Sequence, residues 1–158
     1  MNSKIITSVL NTTTSIAPLT IRIPLGIVLV AHGAQKLFGW FGGYGLEGTG
    51  QWMASIGFEP GMLMAFLAGS GEFFGGIALM FGLLTRPAAI VTGFTMLIAM
   101  TVHLGNGLFL ANNGYEFALI LLFASVSLAI QGGGRYSLDN LIKSWLHSRS
   151  YNGTDSAA

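Results

Sequence analysis

Four long apolar segments alternate with shorter polar or glycine-rich stretches along the chain. An α-helix needs about 20 predominantly apolar residues to cross a bilayer, and each segment is close to that length. The segments run from about residue 18 to 38, 61 to 83, 87 to 109 and 114 to 132. This pattern predicts an all-α fold, an integral membrane four-helix bundle, within a single transmembrane domain over residues 1–150.

A different kind of helix is predicted after the last apolar segment. Ser137 can cap a helix over about residues 138–148, in which the apolar positions form one stripe and the charged positions lie elsewhere. The stripe consists of Leu138, Leu141, Ile142, Trp145 and Leu146. We expect this amphipathic helix to lie on the membrane surface, followed by a disordered tail over residues 151–158.

The composition supports a membrane location and limits the chemistry. Of 158 residues, 52% are hydrophobic and 8% are charged, whereas about one quarter are charged in a soluble domain. Seven bases nearly cancel six acids, so we expect no nucleic-acid partner. The chain has no cysteine, which excludes thiolate metal ligands and a dithiol redox centre of its own. No zinc-protease motif occurs either, and no metal site is predicted.

The positions of the basic residues predict the orientation, because the cytoplasmic loops of membrane proteins are enriched in lysine and arginine. If the chain crosses the membrane four times, Lys36 lies toward one side and five bases share the other. Those five are Lys4, Arg86, Arg135, Lys143 and Arg149. We therefore expect both termini to be cytoplasmic.

Several ionisable residues interrupt the apolar segments, where they are costly and usually face the interior of a bundle. His32 and Lys36 are four residues apart on the first segment and share one helix face. Glu72, near the middle of the second segment, has small residues three and four positions away, which indicates a face where another helix packs closely. His103 lies at the same depth as His32, and Glu116 begins the last segment. Together they predict one polar cavity in the external half of the membrane.

Each polar residue also has a structural interpretation. Lys36 alone would anchor its helix at the interface beside aromatic residues, and Glu72 would hold two helices in register. Two histidines at matching depth would also suit axial ligation of haem, which we rank below the other interpretations because no further haem signal occurs. The small residues Ala65, Gly69 and Gly76 would serve packing within the chain or against a second copy.

The segment from Gly39 to Pro60, between the first two predicted spans, is rich in glycine and aromatic residues. We expect a structured re-entrant or interfacial cap on the external side. Its residues Trp40, Phe41 and Tyr44 would either join the aromatic belt of the membrane or cover the polar cavity and stack on a flat ligand.

Three sequence runs together resemble the DoxX family of small bacterial membrane proteins. They are AHGAQKLFGWFGGYG from residue 31, GEFFGGIALMFGLLTRPAA from residue 71 and NGYEFALILLFASVSLAIQGGGRYSLD from residue 113. The resemblance implies a four-helix protein of the bacterial cytoplasmic (inner) membrane that is linked to oxidoreductases, some of them quinone-reducing. The family positions that it assigns are His32, Gly33, Lys36, Glu72, Arg86, Asn113, Gly114 and Glu116.

The leading hypothesis is a redox-associated membrane protein that binds a quinone or a similar flat lipophilic molecule. Glu72 and His32 would exchange protons with the ligand oxygens, and Lys36 would stabilise developing negative charge. Electrons would come from a redox partner protein or an external substrate, because the chain has no relay of its own. Further ligand contacts would come from His103, Asn113, Glu116, Trp40, Phe41 and Tyr44.

The alternative hypothesis is non-catalytic. In that case the protein is a membrane scaffold, or a carrier of a small hydrophobic metabolite, and the polar layer holds the helices together or passes the metabolite. Under both hypotheses the partners are the lipid bilayer and, on the small-residue faces, a second copy of the chain.

Overall fold

The computed structural model describes residues 9–152, without the side chains of residues 147 and 149–152. All regular structure in this range is helical, which confirms the predicted fold class. The helices are α1 (Ala17–Phe38), α2 (Gly45–Ser55), α3 (Gly61–Phe81), α4 (Thr85–His103), α5 (Glu116–Gln131) and α6 (Leu138–Asn152). Short 3-10 turns occur in the connections at Trp40–Gly42, Leu104–Asn106 and Leu110–Asn112.

Helices α1, α3, α4 and α5 form the membrane bundle. The first three are long and apolar enough to cross a membrane. Helix α5 is apolar but has only 16 residues, so it covers about 24 Å of a hydrocarbon core about 30 Å thick. Successive helices of the bundle run antiparallel, as their paired contacts show. The chain thus forms the predicted membrane bundle.

Helix α4 ends earlier than the apolar pattern predicts. The apolar run continues to residue 109, but the helix stops at His103. Gly107 follows with a φ of +78°, a left-handed conformation that glycine adopts at little cost. The chain turns there and returns into α5, so residues 104–115 form a second connection that lies across the helix ends.

The bundle has two ends with different charge. The loop end contains the connections 39–60 and 104–115, and Lys36 lies near it. The terminal end contains the α3–α4 turn and residues 132–137. Four basic residues lie at the terminal end, namely Arg22, Arg86, Arg135 and Lys143. Lys4 and the side chain of Arg149 lie outside the described part of the chain.

Helices α1 and α3 approach each other closely because glycines line both sides of their contact. A Cβ added at Gly33 would lie 2.5 Å from the backbone nitrogen of Phe73 and 2.7 Å from the carbonyl oxygen of Gly69. One heptad away, a Cβ at Gly26 would lie 2.7 Å from the carbonyl oxygen of Gly76. The small residues of α3 that would suit a second copy of the chain are therefore used within the chain.

We expect Gly33→Ala to lower the free energy of unfolding by about 1–3 kcal/mol, since the added methyl group meets backbone atoms that cannot rotate away. The matched control is Gly93→Ala on α4, where the new Cβ would lie an ordinary 3.4 Å from the Cβ of Ser125. The control should be neutral or stabilising, because alanine favours a helix over glycine by about 1 kcal/mol. Denaturant titration in detergent, monitored by circular dichroism, measures the free energy of unfolding of both variants. Equal values for Gly33→Ala and Gly93→Ala would mean that α1 and α3 can move apart at little cost.

A buried arginine closes the terminal end of the bundle. Arg22 is only 2% exposed, and its guanidinium donates hydrogen bonds to backbone carbonyls from two other parts of the chain. Nε donates to Gly133 at 3.1 Å and Nη1 to Leu79 at 3.2 Å, and further bonds reach Met80 and Tyr136. Arg22 thus joins α1 to the end of α3 and to the segment before α6.

Helix α6 is attached to the bundle through its first turn. The buried carboxylate of Asp139 accepts hydrogen bonds from the backbone N–H groups of Leu84 at 2.7 Å and Thr85 at 2.8 Å. It therefore caps the amino terminus of α4 from a distant part of the sequence, where a negative charge is stabilised. The predicted surface helix is present and extends to Asn152, with Leu141 and Trp145 exposed. Residues 153–158 of the predicted tail lie outside the described range.

Candidate functional site

A cavity of about 170 Å³ lies between α1, α3, α4 and α5 in the half of the bundle nearer the loop end. Its inner part is apolar, because Leu29 lies one turn inward from His32, and Ala99 and Met96 lie one and two turns inward from His103. The apolar lining residues are Leu29, Met96, Ala99, Phe117, Ala118 and Leu121. The polar lining residues are His32, Lys36, Glu72, His103 and Asn113, with Leu110 and Gly114 beside them.

The strongest polar contact in the cavity wall is an ion pair. Nζ of Lys36 donates to Oε2 of Glu72 at 2.6 Å. The Glu72 side chain is 3% exposed and that of Lys36 is 24% exposed, so the carboxylate depends on the lysine while the ammonium lies near the loop end. The close glycine contact between α1 and α3 brings these two residues together. Lys36 is therefore a partner of a buried carboxylate and not a free interfacial anchor.

His32 and His103 contribute imidazole rings to the cavity from α1 and α4. The ring of His32 contacts the ring of Phe117 on α5, with centroids 5.5 Å apart. Within residues 9–152, neither imidazole makes a hydrogen bond to another protein group. Their ring nitrogens can therefore bind a ligand directly, as donor or as acceptor.

The connection 104–115 covers the cavity at the loop end. Asn113 lines the cavity with a left-handed φ of +56°, and its carbonyl accepts a hydrogen bond from Nδ2 of Asn106 at 3.1 Å. Glu116 does not line the cavity. Its Oε1 accepts a hydrogen bond from the backbone N–H of Leu110 at 2.5 Å, so it holds the connection in place.

The aromatic residues of the first connection lie elsewhere. Trp40, Phe41 and Tyr44 are exposed at the loop end, Tyr44 to 86%, and none of them lines the cavity. The connection 39–60 packs against α1 and α3, whereas the cavity extends toward α4 and α5. Residues 104–115 form the cover in its place, and the exposed position of the three rings favours an aromatic belt at the membrane surface.

The apolar part of the cavity, and Phe117 above all, were not predicted from the sequence. The signal was present in the spacing: Leu29 lies one turn inward from His32, and Phe117 is adjacent to Glu116. Among the side chains that the structure describes, no three His, Asp or Glu groups are arranged to hold a metal ion.

The volume of the cavity limits the ligands that fit. A cavity of about 150 Å³ holds one benzene molecule, and pockets for larger organic ligands start at about 300 Å³. At about 170 Å³ the cavity has the volume of one six-membered ring. This volume is far too small for the porphyrin of a haem group. The chemistry of the cavity suits a flat ring with polar substituents that face Lys36, Glu72 and the histidines.

Comparison with known proteins gives a consistent result. The family model DoxX matches residues 17–104. A Bacillus subtilis (strain 168) protein named "Putative oxidoreductase CatD" is 31% identical over 133 residues, which cover 84% of this chain and 92% of that protein. "Inner membrane protein YqjF" from Escherichia coli (strain K12) is 35% identical over 134 residues, or 80% of this chain and 93% of that protein. No solved structure shows significant similarity to the chain.

The matched residues contain most of the candidate site. The DoxX model extends over α1, α3 and α4, which carry His32, Lys36, Glu72 and His103. It covers more than half of the chain, and both relatives align over most of their own length. Together with the apolar helices, the name of the Escherichia coli relative supports a membrane location. The chain belongs to the DoxX family.

Proposed function

We propose that this protein binds a quinone, or a similar flat lipophilic molecule with ring oxygens, and acts as the membrane partner of an oxidoreductase. The observation that carries the proposal is the Lys36–Glu72 ion pair in the wall of a cavity whose inner part is apolar. A lipophilic ring would contact Leu29 and Phe117. Its oxygens would face the charged and imidazole groups.

Reduction of a quinone to a quinol takes up two electrons and two protons. Glu72 and His32 would exchange the protons with the ring oxygens, as titratable groups at a site with little water do. Lys36 would stabilise the negative charge that develops on an oxygen. The electrons would come from a redox partner protein, because the chain carries no electron relay. The name of the Bacillus subtilis relative, "Putative oxidoreductase CatD", supports this redox association.

The charge difference between the two ends supports an orientation. Lysine and arginine collect on the cytoplasmic side of membrane proteins, and Arg22, Arg86, Arg135 and Lys143 lie at the terminal end. Both termini would then face the cytoplasm. The cavity would lie in the external half of a bacterial inner membrane.

A carrier for a small hydrophobic metabolite is the second candidate function. A carrier exposes its site alternately to both sides of the membrane. Here the bundle between the cavity and the terminal end is filled by the buried side chains of Leu25, Leu79 and Leu128, and Arg22 closes that end. These contacts favour a binding site with one entrance over a pathway through the bundle.

Glu72→Gln tests the proposed proton exchange, because glutamine keeps the shape of the side chain but cannot titrate. In native membranes that contain the redox partner, we expect the rate of quinol formation to fall by about 100-fold or more. Glu47→Gln, which alters an exposed carboxyl group at the loop end, is the matched control and should keep the full rate.

Mass spectrometry of lipophilic molecules that co-purify with the wild-type protein completes the test. A stoichiometric quinone, reduced in amount by Glu72→Gln, would support the redox site. An unchanged rate in a folded Glu72→Gln variant would remove the proton-exchange assignment. A wild-type protein that carries no such molecule would favour the scaffold or carrier.

A further inference from the structure

Phe117 lies where α1 and α5 meet in the cavity wall. Its ring lies against that of His32 at an interplanar angle of 47°, and it also packs against the core of the bundle. Helix α1 packs much more extensively against α3 than against α5. The contact between the rings of Phe117 and His32 is therefore one of the contacts that hold α1 and α5 together.

The size of the cavity depends on this side chain. The present volume of about 170 Å³ is that of a single six-membered ring, by comparison with the roughly 150 Å³ that holds benzene. Within this enclosed volume, a second fused ring would overlap with a wall side chain. Ala99 and Ala118 are already small, and Lys36 and Glu72 form the ion pair. The other large apolar wall residues are Leu29, Met96, Leu110 and Leu121. Phe117 contributes the only phenyl ring to the described wall, so its truncation frees the most space for a second ligand ring.

We propose that Phe117 is the specificity-determining residue of this site and restricts it to ligands with one six-membered ring, such as a benzoquinone or its quinol. A two-ring naphthoquinone does not fit within the enclosed volume of about 170 Å³ while the phenyl ring of Phe117 is in place. Its oxygens have the same para arrangement on one ring, so Lys36, Glu72 and His32 recognise both classes alike. This inference rests on the proposed quinone-binding function and adds the ligand class.

The test uses two probes with identical oxygen placement, hydroquinone and 1,4-dihydroxynaphthalene, kept under argon so that neither is oxidised. Full-length protein in lipid nanodiscs is dialysed against each probe, and protein-free nanodiscs correct for partitioning into lipid. We expect the wild type to bind hydroquinone at least about ten-fold more tightly than the two-ring probe after this correction, a discrimination typical of shape-selective pockets.

Phe117→Ala should bring the two affinities within about three-fold of each other, because the phenyl ring no longer occupies the space of the second ring. The matched control is Phe123→Ala on the same helix, where the ring is 63% exposed; it should keep the wild-type preference. If Phe117→Ala fails to fold, Phe117→Leu keeps an apolar contact with His32 and should give an intermediate preference.

The outcomes distinguish failure of the inferred ligand class from failure of the proposed quinone binding. Equal binding of both probes by the wild type would overturn the role of Phe117 and leave quinone binding intact. A wild-type preference that is retained in full in Phe117→Ala, or in Phe117→Leu where that variant is used, would do the same. If the wild type binds neither probe, the proposed function fails and the inference fails with it.

Discussion

Lys36→Met should destabilise the folded protein by about 3–5 kcal/mol at neutral pH, because it leaves a buried carboxylate without its counter-ion. Glu72 is 3% exposed, and the lysine ammonium lies 2.6 Å from its Oε2. Methionine keeps most of the apolar stem of lysine, so the loss reports on the charge and its hydrogen bond. Equilibrium unfolding in mixed micelles, followed by tryptophan fluorescence, measures the difference.

The effect should be unequal between the two partners. Glu72→Gln leaves an ammonium that is 24% exposed and sits on a flexible stem that can reach water, so we expect a smaller loss than with Lys36→Met. The double variant should recover much of the stability lost in Lys36→Met, because no buried charge remains. The pairwise term then follows from the double-mutant cycle. Equal costs for the two single variants would contradict the burial of the carboxylate.

Acid should rescue Lys36→Met. The loss arises from an unpaired carboxylate, and protonation removes that charge. The stability deficit relative to the wild type should therefore shrink as the pH falls and be largest at neutral and higher pH. A deficit that does not change with pH would point to lost packing by the lysine stem. If Lys36→Met is as stable as the wild type at every pH, Lys36 acts only as an interfacial anchor.

The sequence predicted the polar cavity because hydrophobic length and helical period together define depth. His32, Lys36 and His103 occupy one layer when the apolar segments are aligned as membrane spans, and small residues beside Glu72 indicate its packing face. In a bilayer, ionisable side chains at this depth usually face the interior of the bundle, because contact with lipid is costly. The polar layer and the fold class could therefore be predicted from the positions of the polar and apolar residues along the chain.

The segment that covers the cavity could not be predicted from the sequence. The direction of a connection depends on tertiary contacts, which the periodicity of apolar residues does not reveal. Gly50 and Gly61 bring α2 against α3, since a Cβ at Gly61 would lie 2.1 Å from the carbonyl oxygen of Gly50. That contact turns the first connection away from the cavity, together with Tyr44 and its aromatic neighbours. Likewise, the backbone partner of Glu116 became clear only once the turn at Leu110 was known.

The terminal end shows a similar limit. On the predicted surface helix Asp139 lies off the apolar stripe, which indicates a solvated position. The structure buries its carboxylate, where it caps α4. Spacing within one helix cannot reveal a bond to the start of another helix more than fifty residues away. The same applies to Arg22, whose acceptors are known only from the folded bundle.

Arg22→Met should cost about 3 kcal/mol, because it leaves three buried or part-buried backbone carbonyls without a donor, at about 1–3 kcal/mol for each that is fully buried. The carbonyls of Gly133, Met80 and Tyr136 depend on the guanidinium, whereas that of Leu79 also accepts from the N–H of Gly82. Arg22→Lys should recover little, since one ammonium cannot reproduce the planar fork of donors.

The matched control is Arg135→Met at the same end, which removes an exposed guanidinium that lies over the ring of Tyr136. It should change the free energy of unfolding by about 1 kcal/mol or less. Limited proteolysis adds a structural readout, because Arg22 binds the segment that leads into α6. Cleavage before α6 should be faster in Arg22→Met than in Arg135→Met. If both variants resist protease as the wild type does, the attachment of α6 does not depend on Arg22, and the bonds of Arg22 stabilise only the contact between α1 and α3.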